Sequence, residues 1–374
     1  FQLRTVRKVT ERFPSIVRKT FANELVKQQL TAGNPFSALV VGPMASSIDV
    51  FHTNPQIVYV PKQPNLGEYN DLGGQVYVFE ERGDGDWSDL ESFGNSKKIE
   101  NMGNVIEDKL KNDKTIIDQK QVLRSRLFDN IIGDWDRHSD QWRWASFEQP
   151  NGKTLYKPIP RDRVQAYSNF DGIANALASY TVPFTRAAHK YDEDVSKKEE
   201  TWLNYQARLF DRFFLNELTL DEWEEQAKFI QENLTDEVIE KGIRQLPPFA
   251  YVERGAQFIK WTKSRRDNIL TTARNYYKIL NKEVQVLGTH KNNLIEVNRL
   301  NNLQTKVTVY EYADNEQVTQ LLYERTFENK ITKEVRIYGL DGDDRFQVIG
   351  KVGNSPLVRL IGGNGKDLFT DDSK

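Results

Sequence analysis

The sequence predicts an α+β chain: a small β-rich N-terminal part, a helical middle and a β-rich C-terminal module. Three observations predict it. Alternating β-branched and aromatic runs lie within residues 1–82, helical spacing with capping signals fills Ser196 to Leu280, and short alternating runs return after about Lys282. The boundaries read as 1–82, 83–282 and 283–374.

Composition sets outer limits. A chain of 374 residues with 38% apolar and 11% aromatic side chains has ample material for a core. A net charge of −2 gives no reason to expect nucleic acid as a partner. No apolar run approaches the ~18 residues of a membrane span. With no cysteine, disulfides and thiol chemistry are excluded. The four histidines, His52, His138, His189 and His290, form no metal-ligand pattern, which argues against a zinc or two-metal hydrolase.

In the N-terminal part, Phe1 to Val9 alternates as a strand, and Thr20 to Leu30 follows as a helix that Thr20 could cap. Ala38 to Pro43, the hairpin-like Gln56 to Tyr69 and Gly74 to Glu81 are expected to complete a small sheet.

The densest chemistry lies in Gly133-Asp134-Trp135-Asp136-Arg137-His138-Ser139-Asp140-Gln141-Trp142-Arg143-Trp144. Val122 to Ile132 before it carries helical spacing. Trp142 to Phe147 and Thr154 to Ile159 after it are strand-like and separated by Pro150-Asn151-Gly152. The order is helix, loop, hairpin, and Asp162 at the end of the second strand folds back toward Asp136. A Gly-Asp-x-x-Asp-Arg metallophosphoesterase element is one residue longer than what stands here. Asp136 and Arg137 are also readable as a structural ion pair, His138 as a supporting residue and the tryptophans as core.

This layout meets the demands of phosphoryl transfer. A kinase catalytic loop needs an aspartate for the acceptor hydroxyl, an amide five positions on that holds Mg²⁺, and a metal-binding aspartate after the next hairpin. Gln141 stands five positions after Asp136, and Asp162 stands 26 positions after it. Asp136-Arg137-His138 with Gln141 resembles the DRHxxN motif of phosphatidylinositol and HipA-type kinases, and the loop of CotH and secretory-pathway kinases. The resemblance implies a protein-kinase-like two-lobe fold followed by the β-rich module. Asp136, Arg137 and His138 would then be catalytic, Gln141 and Asp162 would hold Mg²⁺ or Mn²⁺, and ATP would be the cofactor. Glu24 would fix the phosphate-binding cation. The kinase-like families place a lysine where Arg4 falls, and Lys8 lies four residues on; both are equally readable as solvated strand charges. Val78 to Glu81, with Glu80, would be the strand facing the adenine. No glycine-rich phosphate loop is legible, and Phe170-Asp171-Gly172 reads as a chance match to a kinase signature.

The helical middle carries a capping box at Thr219-Leu220-Asp221-Glu222, a helix start at Thr235, a stop at Pro247-Pro248 and a long helical period from Phe258 to Leu280. In the C-terminal module, residues 335–346 repeat as 358–369 at an offset of 23. The second copy satisfies the GGxGxD turn of calcium-binding β-rolls, so Asp341, Asp343, Asp344 and Asp367 are candidate Ca²⁺ ligands, with structural rungs or hairpins as the other reading.

Across its length the chain resembles the central region of large envelope proteins of Bacteroidota-type bacteria. The resemblance rests on Phe51 to Pro55, Glu80 to Arg82, Gly85 to Trp87, Gly133 to Trp144, Pro158 to Ala166, Ser264 to Asp267 and the Gly-Asp repeats. In that family a calcineurin-like phosphoesterase domain and a surface-antigen outer-membrane β-barrel often flank such a region. It implies a location in the cell envelope, periplasmic or outer-membrane associated, with those flanking domains as partners. Val164 stands where that pattern has aspartate. Two readings result: a kinase-like phosphotransferase or nucleotide-binding pseudokinase, and a non-catalytic linker between a phosphoesterase and a barrel.

Overall fold

A computed structural model of the chain describes residues 1–6, 33–111, 113–168, 190–313 and 317–373. The expected helix at Thr20 to Leu30, with Lys8, Glu24 and Phe170-Asp171-Gly172, lies outside the described residues. The strands are β1 (Gln2–Thr5), β2 (Gln56–Val60), β3 (Gln75–Glu80), β4 (Ile99–Asn101), β5 (Thr115–Ile117), β6 (Trp142–Glu148) and β7 (Thr154–Pro160). Between them run α1 (Ser37–Ser47), α2 (Met102–Lys111) and α3 (Gln119–Ile132). The helical middle holds α4 (Lys197–Leu203), α5 (Arg208–Phe214), α6 (Leu220–Asn233), α7 (Asp236–Ile243), α8 (Pro248–Asp267) and α9 (Ile269–Leu280).

A three-stranded sheet in the order β1-β3-β2 and a four-stranded sheet in the order β4-β6-β7-β5 flank the catalytic-type loop. The expected strand at Ala38 to Pro43 is helix instead. Val40, Val41, Met44 and Ala45 are all buried there, and a short apolar run buried on most sides gives no periodicity by which strand and helix differ. Pro43 sits inside this helix. Gly242 of α7 allows its close packing, since a Cβ there would lie 2.9 Å from the Val40 carbonyl and 3.0 Å from Met44 Cγ.

The capping signals are realised. Thr219 and Glu222 bond each other's backbone N–H at the start of α6, and Thr235 caps α7. Pro248 opens α8 at its first position, where its missing N–H costs nothing. The long helical period splits at Asn268 into α8 and α9. The main core joins α1, α3, α6, α7 and α9 with Trp142, Trp144, Phe210, Phe214 and Trp223.

The C-terminal module comprises β8 (Glu283–Leu287), β9 (Asn293–Asn301), β10 (Gln304–Tyr312), β11 (Val318–Glu328), β12 (Glu334–Asp341), β13 (Arg345–Ile349), β14 (Leu357–Asn364) and β15 (Leu368–Asp372). Strands β8, β12 and β14 pair in parallel in one sheet, and β9, β13 and β15 in another. The two repeats are therefore stacked rungs, and β8 with β9 makes a third that the hairpin β10–β11 separates from its fellows. Each rung turns on a glycine with an Asx residue five positions on: Gly288 and Asn293, Gly339 and Asp344, Gly362 and Asp367. A Cβ on any of these glycines would collide with that Asx side chain.

The Asx side chains form a ladder. Asn293 N–H donates to Asp344 Oδ1 at 2.7 Å, and Asp344 N–H to Asp367 Oδ1 at 3.1 Å. Asp343 Oδ1 accepts from the Lys366 N–H at 2.8 Å, and Asp341 pairs with His290 Nδ1 at 2.7 Å and accepts from Asn364. The four candidate calcium carboxylates all accept hydrogen bonds that tie rung to rung, as the structural reading of these turns expects. The module is docked onto the helices through Arg325, which donates to the Asn216 carbonyl at 2.5 Å and to Asn281 Oδ1 at 2.6 Å. Tyr323 also donates to the Asn216 carbonyl.

Burial, helped by the charges of Asp367, Asp343 and Asp341 and opposed by the Asn293 N–H, pushes the Asp344 carboxyl up to about 7. An unfolded aspartate titrates near ~3.9, so between these values the folded chain holds a proton that the unfolded chain has lost. Stability from this group falls as pH rises from about 4 to about 7 and is flat above. Asp344→Asn, which copies the residue of the first rung, is expected to raise the melting temperature at pH 8, with the gain gone by pH 4; an equal gain at both pH values would refute this account. Phe346→Ala, in a core position stacked 4.6 Å from Phe369, is expected to destabilise by about 3–5 kcal/mol in urea unfolding.

Candidate functional site

The loop is held by charges inside the protein. Helix α3 is buried along nearly its whole surface, yet it carries Arg126, Asp129 and Asn130. Charges in such a place must be paired. Arg126 bonds Asp211 at 2.8 Å through Nε, Asp129 at 2.5 Å through Nη1 and Asn204 at 2.7 Å through Nη2. Tyr276 donates its hydroxyl to Asp211. Arg163 is ion-paired with Asp129 and lies 3.2 Å from Asp134, while Arg137 Nε lies 3.2 Å from Asp129. Burial alone would raise the Asp129 carboxyl, but Arg163, Arg137 and Arg126 outweigh it and hold it below the usual range. For Asp134 burial wins, and its carboxyl is pushed up to about 6. Gly133 ends α3 in the left-handed region, φ 68°, where a Cβ would lie 2.7 Å from the Tyr191 ring.

Arg137 was expected among the catalytic residues. It is fully buried, stacks 4.7 Å over Trp142, and donates to the Arg161 carbonyl at 2.6 Å and the Gln141 carbonyl at 3.3 Å. It therefore positions the two segments that carry Gln141 and Asp162, and no substrate reaches it. The Arg161 N–H donates to the Gln141 carbonyl at 2.8 Å, which closes the same junction.

The other residues come together around this junction. His138 Nε2 lies 4.0 Å from Asp136 Oδ1 and 3.1 Å from the Gln141 amide. That same amide atom lies 3.5 Å from Asp162 Oδ2. Asp162 adopts φ 54°, a left-handed conformation that aspartate tolerates better than most residues. Its other oxygen is ion-paired with Arg4 on β1. Asp162, and not position 164, thus carries the carboxylate of this cluster.

Glu80 was expected to face a nucleotide. It is buried, and its carboxylate is engaged by Arg4 Nε at 2.7 Å, Gln2 Nε2 at 2.7 Å and the Thr53 hydroxyl at 3.0 Å. Its side chain anchors Arg4, the role expected of Glu24. Sequence reasoning missed this because Gln2 and Glu80 face each other only through the β1–β3 register.

The Asp140 N–H donates to His138 Nδ1 at 3.3 Å, and the Gln141 amide nitrogen donates to Asp162 Oδ2 at 3.5 Å. The amide oxygen of Gln141 and the carboxylate of Asp162 are oxygen donors of the kind a hard divalent ion takes. Among the described residues no three His, Cys, Asp or Glu side chains converge on a metal, and the other ligands would be water and phosphate oxygens, as Mg²⁺ commonly has.

Asp129→Asn removes the charge shared by Arg126, Arg137 and Arg163, and is expected to destabilise by about 3–5 kcal/mol. Asp134→Asn is expected to change stability by less than about 1 kcal/mol at pH 6, where the native carboxyl is already half protonated. Urea unfolding checks both, and equal losses would show that Asp129 is no hub.

No protein-family model and no curated protein matches this chain. Solved structures similar to this chain include the following two. HipA of Shewanella oneidensis, from a toxin–antitoxin complex with HipB and operator DNA, has TM-score 0.34 and 14% identity, covering 64% of this chain and 57% of HipA. The proinflammatory kinase CtkA of Helicobacter pylori has TM-score 0.32 and 13% identity, covering 66% of this chain and 87% of CtkA.

Proposed function

We propose that the polar cluster of Arg4, Gln141 and Asp162, where the β1-β3-β2 sheet meets the β6–β7 hairpin, binds a nucleoside triphosphate with Mg²⁺ or Mn²⁺, as a kinase-like phosphotransferase or nucleotide-binding pseudokinase. The observation that supports this reading most is that Gln141 and Asp162, on different segments, meet side chain to side chain beside His138. Gln141 and Asp162 would hold the ion. It would neutralise charge on the phosphates.

The chain's own groups have separate tasks in this reading. Asp136 accepts the proton of the acceptor hydroxyl and aims that oxygen. His138 holds the Gln141 amide in place. Arg4, anchored by Glu80, turns from Asp162 toward the phosphates; as a planar fork it grips two oxygens where lysine would meet one. Arg137 keeps Gln141 and Asp162 in register from below. The envelope location and the flanking phosphoesterase and barrel belong to the same proposal.

The Arg4–Asp162 ion pair favours a second reading, a non-catalytic linker in which that pair closes the cluster. Calorimetric titration of ATP and a non-hydrolysable analogue, with and without Mg²⁺ or Mn²⁺, separates the two. Metal-dependent binding is expected in wild type and Asp136→Ala, with at least a tenfold loss in Asp162→Ala. A folded wild-type protein that binds neither nucleotide under any condition would leave the linker reading standing.

A further inference from the structure

A second cluster lies at the far end of α1. Ser46, in the last turn of that helix, is exposed. Its hydroxyl lies 2.6 Å from His52 Nε2, and His52 Nδ1 lies 2.9 Å from the Thr53 carbonyl. A carbonyl only accepts, so the ring proton sits on Nδ1 and Nε2 presents its lone pair to Ser46. The imidazole is buried, with only 8% of its residue surface exposed. Burial holds it below the usual imidazole range, aided by Arg163 and opposed by the Thr53 carbonyl and Glu81, so the ring is neutral at pH 7. Gly42 of α1 backs the ring, 3.3 Å from Nδ1 to where a Cβ would be.

Nucleophile, base and orienting group are therefore in line, the arrangement by which an uncharged serine is activated. The pair opens onto a concavity of about 450 Å³ whose lining includes Asp49, Val50, Phe51, Asn54, Leu90 and Glu91. Val50, Phe51 and Leu90 offer apolar contact to a short acyl chain. The Glu91 carboxylate repels anionic substrates, while Asp49 is paired with Arg124 at 3.0 Å. The carbonyl end of α1 disfavours a free alkoxide, so the proton must leave Ser46 as its oxygen bonds to carbon, and His52 is placed to take it.

We propose that Ser46 and His52 form a nucleophile–base dyad that hydrolyses short, uncharged or cationic carboxylic esters. Ser46 Oγ bonds to the acyl carbon as its proton passes to His52 Nε2. The ester C–O bond breaks, and the departing alcohol takes that proton. Water then attacks the acyl-serine, giving one proton to Nε2 and its oxygen to the acyl group. The carboxylic acid leaves, and Ser46 regains its proton from His52. Ester and water become acid and alcohol, with no other reactant. Thr53 touches both sites, through its carbonyl here and through its hydroxyl at Glu80, but the two proposals use different substrates and are tested separately.

The test uses the full chain with diisopropyl fluorophosphate and p-nitrophenyl acetate. One diisopropylphosphoryl adduct, formed with loss of fluoride and mapping to Ser46 by peptide mass, is expected, absent from Ser46→Ala, with turnover of the acetate about a hundredfold lower in Ser46→Ala and His52→Gln. Because the chain has no cysteine, Ser46→Cys gives a single thiol for alkylation by iodoacetamide. Paired with His52, that thiol is expected to react with a midpoint at least one pH unit below the ~8.5 of a free cysteine, and to return to that range in Ser46→Cys/His52→Gln. No adduct at Ser46 in wild type, or a thiol midpoint at or above the free value, would overturn the proposal.

Discussion

The carboxylate of Asp129 is the constraint on which the middle of this molecule depends. It sits on a helix with almost no solvent-facing side and receives guanidinium groups from three directions: Arg126 of its own helix, Arg137 of the loop and Arg163 beyond the hairpin. Each arginine carries the constraint onward. Arg126 reaches Asp211 on α5 and Asn204 just past the end of α4, Arg137 reaches two backbone carbonyls, and Arg163 reaches Asp134. Such a lattice contributes little net stability over an apolar core of similar volume, but it tolerates few alternative arrangements, because any shift strands a charge in a dry interior.

That intolerance matters for the polar cluster above it. Gln141 and Asp162 lie on different segments, one before the hairpin and one after it. Both segments are gripped by a single buried guanidinium. On the other side, β1 and β3 deliver Arg4 and Glu80 through strand register alone. The polar cluster is therefore assembled from a buried ionic floor and a small sheet that reaches it through Arg4.

What was legible in the sequence was local. The helix, loop and hairpin around Asp136 were visible because each has its own period or turn signal, and the capping boxes because they are read within four residues. The misreadings share one physical cause. Residues 38–43 carry no period that distinguishes a buried helix from a strand. Glu80 was placed by motif order, whereas its partners are chosen by register across a sheet. Arg137 stands beside Asp136 in sequence, yet the two differ in surroundings, Asp136 part-exposed beside His138 and Arg137 in the core. The third rung stayed hidden because Gly288 and Asn293 keep only the two positions that sterics demand, and a hairpin separates it from its copies.

That hairpin has a mechanical consequence. It interrupts the stack, yet it carries Tyr323 and Arg325, which fasten to Asn216 and Asn281 of the helical region. Force applied along the rungs would pass through the Asx ladder into β9, across to β10 and β11, and so into the helices. The stacked rungs are thus no pendant appendage. A pull at Asp372 therefore loads the helical core by two routes, the hairpin and the short link from α9 into β8, whose Glu283 also pairs with Arg212 of α5.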